Sequence, residues 1–164
     1  MSVSELRTDE EITRIYEKYV DTVYKVCFML LKNVSETEDA TQNVFIKFMK
    51  ETKDFQRDEH IKAWLIVTAR NECLNMLKYW FRSKRSDPEV LQEMSYTEDL
   101  EKGELLKSVF ELDEKYKIPI YLYYYEGYST LEISEMLDIK HSTIRTYMVK
   151  GREKLKLILE EEKL

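Results

Sequence analysis

Between Lys140 and Arg152 the chain sets Lys, Arg, Ser and Thr side chains at helical spacing. At 3.6 residues per turn Ser142, Thr143, Thr146, Val149 and Lys150 share one side, flanked by Arg145 and Arg152, while Ile144, Met148, Gly151 and Leu155 share the other. Hydroxyl, guanidinium and ammonium groups arranged in this way hydrogen-bond base edges and clamp phosphates in a major groove. They make and break no bonds by themselves. His60 and His141 lie in polar connections without a partnered nucleophile, no Gly-rich phosphate loop occurs, and the scattered carboxylates form no recognisable pair. The chemistry offered is recognition, with no catalytic residue, metal or cofactor called for.

A helix-turn-helix is the element that would position these groups. Ser129 followed three residues later by Glu132 is a capping box, so a helix starts near Thr130. Leu131 with Leu137, and Ile133 with Met136 and Leu137, give it an apolar stripe. Asp138 interrupts the stripe and tolerates a left-handed backbone. The second helix begins between Lys140 and Ser142 and would enter the groove. A plain helical hairpin with solvated Lys and Arg is the competing reading.

A second candidate surface lies in the N-terminal half. Ile61 to about Phe81 reads as a long helix in which Trp64, Leu65, Thr68, Ala69, Cys73, Met76 and Leu77 form the buried stripe. Lys62, Arg70, Asn71, Asn75, Lys78 and Arg82 form a basic, amide-bearing face. Tyr79, Trp80 and Phe81 cannot all point inward, so at least one ring is accessible. Rings among Arg and Lys suit single-stranded DNA, with Trp80 the candidate for stacking; core packing is the alternative for any one ring.

Two helices precede it. Ile12, Ile15, Tyr16, Tyr19, Val23, Val26, Cys27 and Leu30 keep a 3.6-residue stripe, after polar residues expected to fray. Asn33-Val34-Ser35 breaks it, and a helix from about Thr37 to Thr52 follows, with Ala40, Val44, Phe45, Phe48 and Met49 apolar and Asp39, Gln42 and Asn43 on its other side. After a polar stretch, Leu105, Leu106, Val109, Phe110 and Leu112 start another helix. Ile118 to Tyr125 has strand-like composition, but a lone strand would lack a partner, so a helix is expected, with Pro119 near its first turn and Gly127 at its end.

The net charge of −6 at first argues against a nucleic-acid binder, but its distribution reverses that. Arg57–Arg85 carry seven basic and three acidic residues, and Ile139–Leu159 six basic and one acidic, whereas Ser86–Lys117 carry ten acidic and four basic. Two basic patches flank an acidic spacer. The chain is therefore expected to be all-α, with helical domains at 10–83 and 104–160 joined by a flexible acidic linker at 84–103. Cys27 and Cys73 are isolated in apolar patterns, fitting reduced core residues and neither a zinc site nor a disulfide scaffold. No signal-peptide pattern occurs and no apolar run reaches about 18 residues, so the expectation is a cytoplasmic chain without membrane insertion.

With both halves in view, the chain resembles a bacterial sigma factor of the small, extracytoplasmic-function type over roughly residues 10 to 160. Asp39-Ala40-Thr41-Gln42-Asn43-Val44-Phe45 matches an Asp-x-x-Gln-(Glu)-x-Phe pattern. Ala63-Trp64-Leu65, Ala69-Arg70-Asn71, Asn75 and Lys78 stand in register with the next motif. Glu126-Gly127-Tyr128-Ser129, Glu132-Ile133, Leu137-Asp138-Ile139 and Ser142 to Arg152 match the last. Each motif alone is weak; all of them in order, with an acidic linker of the right length between the halves, are strong.

The resemblance implies roles. Asp39, Gln42, Asn43, Phe45 and Ile46 would dock on RNA polymerase core. Arg57, Lys62, Arg70, Asn71, Asn75, Lys78 and Arg82 would melt and hold the minus-ten element. His141, Ser142, Thr143, Arg145, Thr146 and Lys150 would read the minus-thirty-five element. Partners would be polymerase core, promoter DNA and an anti-sigma factor, with no small-molecule substrate. Asn43 and Asn75 stand where acids are usual, Tyr147 where a basic residue is usual, and Asp138 and Ser142 where glycines are usual. The other reading is a free-standing helix-turn-helix regulator whose N-terminal half senses a ligand or dimerises, which predicts a palindromic operator.

Overall fold

The structure, a computed structural model, describes residues 7–83 and 104–162. The helices among them are α1 (Asp9–Leu31), α2 (Val34–Lys50), α3 (Asp58–Ser83), α4 (Glu104–Phe110), α5 (Glu114–Tyr124), α6 (Thr130–Leu137) and α7 (His141–Glu162). No strand occurs among the described residues, so the all-α expectation holds, including for Ile118 to Tyr124, with Tyr125 capping the helix. One compact unit is formed by α1–α3 and a second by α4–α7. The expected linker, 84–103, lies outside the described residues.

In the first unit α1 packs against both α2 and α3, which also pack on each other. Ile15, Val23, Val26 and Cys27 of α1, Ala40, Val44 and Phe48 of α2, and Leu65, Ile66, Ala69 and Cys73 of α3 are buried in the shared core. α1 begins earlier than the sequence suggests, because Thr8 supplies a cap: its hydroxyl accepts the Glu11 amide at 3.1 Å. Asp9, Glu10 and Glu11 then complement the positive end of the helix. The break before α2 is shorter than expected. Lys32 closes α1 in the left-handed region (φ 53°), and Asn33 caps α2 by accepting the Glu36 amide at 2.9 Å. The connection to α3 is also less polar than it reads, since Phe55 packs on Phe48 and Trp64.

Asp58 opens α3 and ties it to α1. Its carboxylate accepts Arg14 at 2.7 Å and Lys18 at 2.8 Å. Hydrogen bonds from these two cations hold the Asp58 carboxyl at about 2, below its usual 3.8, and raise Arg14 and Lys18 in turn.

In the second unit α5 and α7 form the main packing pair. Phe110, Ile118, Ile120, Tyr121, Leu122, Ile133, Ile144 and Met148 fill its core. Gly151 lets α7 lie flush on α5: a Cβ there would meet Ile120 Cγ1 at 3.0 Å and Tyr116 Cβ at 3.3 Å. Pro119 sits inside α5, beyond its first turn, because the helix starts at Glu114, ahead of the apolar run. Gly127 (φ +78°) turns the chain after α5, so that the Tyr128 amide reaches the Leu122 carbonyl at 3.0 Å.

Candidate nucleic-acid interface

The expected helix-turn-helix is α6, Asp138 to Lys140, and α7. Ser129 caps α6 through both halves of the capping box: its hydroxyl accepts the Glu132 amide, and Glu132 accepts the Ser129 amide at 3.0 Å. Asp138 ends α6 in the left-handed region (φ 54°, ψ 48°), where a glycine is usual. Two side-chain hydrogen bonds then fix the turn. Ser134 Oγ donates to the Ile139 carbonyl at 2.7 Å, and Thr130 Oγ1 lies 2.9 Å from His141 Nε2. Leu131, assigned to the apolar stripe, is half exposed, and Ile133 and Leu137 carry the burial.

α7 divides as its periodicity requires. Ile144, Met148, Gly151 and Leu155 are buried, while Ser142, Arg145, Thr146, Val149 and Lys150 are exposed and Thr143 is half-buried. The exposed set runs along the first three turns and carries the donors a major groove accepts. Thr146 Oγ1 donates back to the Ser142 carbonyl at 3.1 Å, so toward a ligand its oxygen serves as an acceptor. His141, expected among the reading residues, is half-buried with Nε2 engaged by Thr130 across the turn. Arg152 belongs to a different cluster: its guanidinium lies over Tyr123 and Tyr124 and Nε donates to Tyr124 Oη at 2.7 Å.

On α3 the structure sorts the expected strip. Asn71, Asn75, Lys78 and Arg82, three or four residues apart, are all exposed on one line. Lys62 and Arg70 are half-buried and fall off that line by helical register. Arg57 lies before the helix, with Nη2 3.3 Å from His60 Nε2. Of the three consecutive rings, Tyr79 (67% exposed) and Phe81 (61%) are the accessible ones, and Trp80 is half-buried.

The line of Asn71 and Asn75 extends backward through Thr68 and Trp64, two residues of the apolar stripe expected in the core. There it opens into a groove of about 360 Å³ between α2 and α3, lined by Lys47, Lys50, Glu51, Trp64, Thr68 and Asn71. Trp64 is half-buried, its ring 6.1 Å from those of both Phe48 and Phe55. An indole ring, a hydroxyl, an amide and the Lys50 ammonium, with Glu51 beside them and Lys47 paired to Glu72, bring stacking, hydrogen-bonding and phosphate-contacting groups to one place. The missed residues were signalled by register: positions 64, 68, 71, 75, 78 and 82 follow a single helical line.

On α2, Asp39, Gln42, Asn43 and Ile46 are exposed together, Ile46 at 45%. Phe45 is buried, with Tyr16 edge-on against it at 4.9 Å, so it supports this face from below. Asn43 is partly committed within the unit: Nδ2 donates to Glu72 Oε1 at 3.2 Å, and Lys47 pairs with the other Glu72 oxygen at 2.6 Å.

Comparisons with known proteins agree with this division. Residues 15–85 match the Sigma-70 region 2 family and residues 102–155 the Sigma-70 region 4 family. The ECF RNA polymerase sigma factor SigW of Bacillus subtilis is 27% identical over 163 residues, covering 87% of this chain and 85% of the relative. SigX of the same organism is 24% identical, covering 93% and 88%. Among solved structures, the sigma factor RpoE in complex with the anti-sigma factor NepR from Bartonella quintana shares the fold, with a TM-score of 0.72 at 17% identity over 92% of this chain and 98% of that one. CnrH in complex with the cytosolic domain of CnrY does so with a TM-score of 0.66 at 15% identity, over 94% and 90%. With both sigma-70 regions present in order, and relatives of this kind matched along most of its length, the chain belongs to the sigma factors of bacterial RNA polymerase, in their extracytoplasmic-function group.

Proposed function

We propose that the chain directs RNA polymerase core to promoters through three separate faces, and that it contributes no catalytic group of its own. The exposed face of α2, with Asp39, Gln42, Asn43 and Ile46 supported by Phe45, docks on core. The Trp64-to-Arg82 line of α3 holds one strand of an opened minus-ten element. The outward side of α7, from Ser142 to Lys150, reads the minus-thirty-five duplex. Such a protein works in the cytoplasm, where polymerase is. Among the described residues no helix is long and apolar enough to cross a membrane. An anti-sigma partner is the natural regulator, given the complex in which the Bartonella relative was solved.

The observation that carries this reading is the line along α3. An indole, a hydroxyl, two amides and two cations in a row suit unpaired bases and their phosphates. A free-standing regulator with a sensing domain has no use for such a line. The test is co-purification with core polymerase followed by binding to closed and pre-melted promoter templates. Lys78→Ala should be defective mainly on the closed template, where strands must be opened and captured. Arg145→Ala should be defective on both, losing a base contact of about 1–3 kcal/mol. Failure to associate with core, together with tight binding to a palindromic site by the free chain, would favour the regulator.

A further inference from the structure

Arg7 precedes α1, in a polar stretch that the sequence leaves without a role, yet its side chain is only 9% exposed. The guanidinium carbon stands 4.4 Å from the centroid of the Phe48 ring and 5.2 Å from that of Phe55. Nε donates to the Phe48 carbonyl at 3.2 Å and Nη2 to the Lys53 carbonyl at 2.8 Å. A third contact reaches Glu11 Oε1 at 3.4 Å. One planar cation thus joins the last turn of α2 to the loop that follows it. A guanidinium suits the place for two reasons. It complements the negative end of a helix, and it stacks on rings while its donors fork to two carbonyls.

The same two rings carry Trp64, 6.1 Å from each. Glu51, the first residue after α2, lines the groove with Trp64, Thr68 and Asn71. The path from Arg7 to the groove is therefore short: through Phe55 to the indole, and through the loop backbone to Glu51. We propose that Arg7 is a positioning residue for this groove, setting the loop and the Trp64 ring that an unpaired base would meet. This rests on the reading of the groove as a single-strand site. Arg7 itself touches no DNA in this scheme.

The test uses the full chain assembled with core polymerase and a pool of fork templates randomised over the single-stranded stretch, with bound molecules sequenced. Arg7→Lys keeps the charge but cannot stack and fork at once. It should flatten base preference at one or two adjacent positions by about tenfold, within the cost of a lost base contact. Arg7→Ala should do the same or more, and both should assemble with core and select the upstream duplex element as the parent does. Asn71→Ala is the reference for the groove itself. If Asn71→Ala changes nothing, the single-strand reading falls and the proposal with it. If Asn71→Ala flattens the profile while both Arg7 variants select like the parent, only the role of Arg7 is overturned. Equal loss of core assembly, upstream selection and base preference in the Arg7→Lys variant would also overturn it, as a general folding role.

Discussion

The ring of Tyr147 meets the ring of Tyr116 edge to face, with centroids 5.7 Å apart and planes inclined by 82°. Sigma factors of this type usually carry a basic residue at this position; here the side chain fastens α7 to α5. Tyr147→Ala should destabilise the second unit by about 1–2 kcal/mol, from lost burial and the ring pair. Both tryptophans, Trp64 and Trp80, lie in the first unit. Urea denaturation followed by far-ultraviolet circular dichroism should therefore show the loss, while the tryptophan-fluorescence transition stays where it was.

The Asp58 cluster predicts the acid behaviour of the first unit. Folding favours the Asp58 carboxylate by pairing it with Arg14 and Lys18, and holds its carboxyl at about 2 against the usual 3.8. Its contribution is thus fully present above about pH 4, and disappears as pH falls through about 2. Acid titration of tryptophan fluorescence should show a step in that window, and Asp58→Asn should flatten it. An unchanged titration in Asp58→Asn would remove the cluster from the account of acid stability.

Asp138 closes α6 with φ 54°, a conformation that an L-residue adopts at a cost and glycine does not. Asp138→Gly should be neutral or stabilising by up to about 1 kcal/mol, and Asp138→Val should destabilise by about 1–2 kcal/mol. Thermal denaturation of the two variants checks the order. If the valine variant is as stable as the parent, the turn is not held in the left-handed region.

Opposite sides of α2 should separate docking from stability. Asp39→Ala with Gln42→Ala should abolish association with core polymerase and change stability by no more than about 0.5 kcal/mol, as exposed substitutions do. Thr41, one residue away, is buried with an unpartnered hydroxyl, as is Thr37. Thr41→Val should raise stability by about 1 kcal/mol, because an unpaired buried hydroxyl is replaced by a methyl. Association with core should not change. Pull-down and chemical denaturation of both variants provide the check.

Local signals were legible in the sequence. The Ser129–Glu132 capping box, the left-handed Asp138 and the buried side of α7 all depend on residues a few positions apart, and each stands as expected. Signals that depend on tertiary neighbours were not. Arg7 looks idle because its acceptor on Phe48 lies 41 residues away. Phe45 sits in a motif read as contact surface, but α2 packs on two helices at once, which widens its buried arc to include that ring. Periodicity showed that the rings at 79 to 81 could not all point inward; only packing decides that Trp80 is the one that turns in. The apolar stripe through Leu65, Ala69 and Cys73 takes in Trp64 as well, although its register with Asn71 and Lys78 places it equally on the outer line.

Because Gly151 seats α7 directly on Ile120, one helix carries both an anchor and the exposed turns proposed to read DNA. Ser142 lies roughly 13 Å along the axis from that seat, at 1.5 Å of rise per residue. A tilt of about 10° there would swing Ser142 by roughly 2 Å, enough to break a hydrogen bond to a base. On the proposed reading of α7, promoter choice becomes a lever-arm property. Ile120 and Tyr116, packed under the glycine, would then set the angle at which the outer face of α7 arrives.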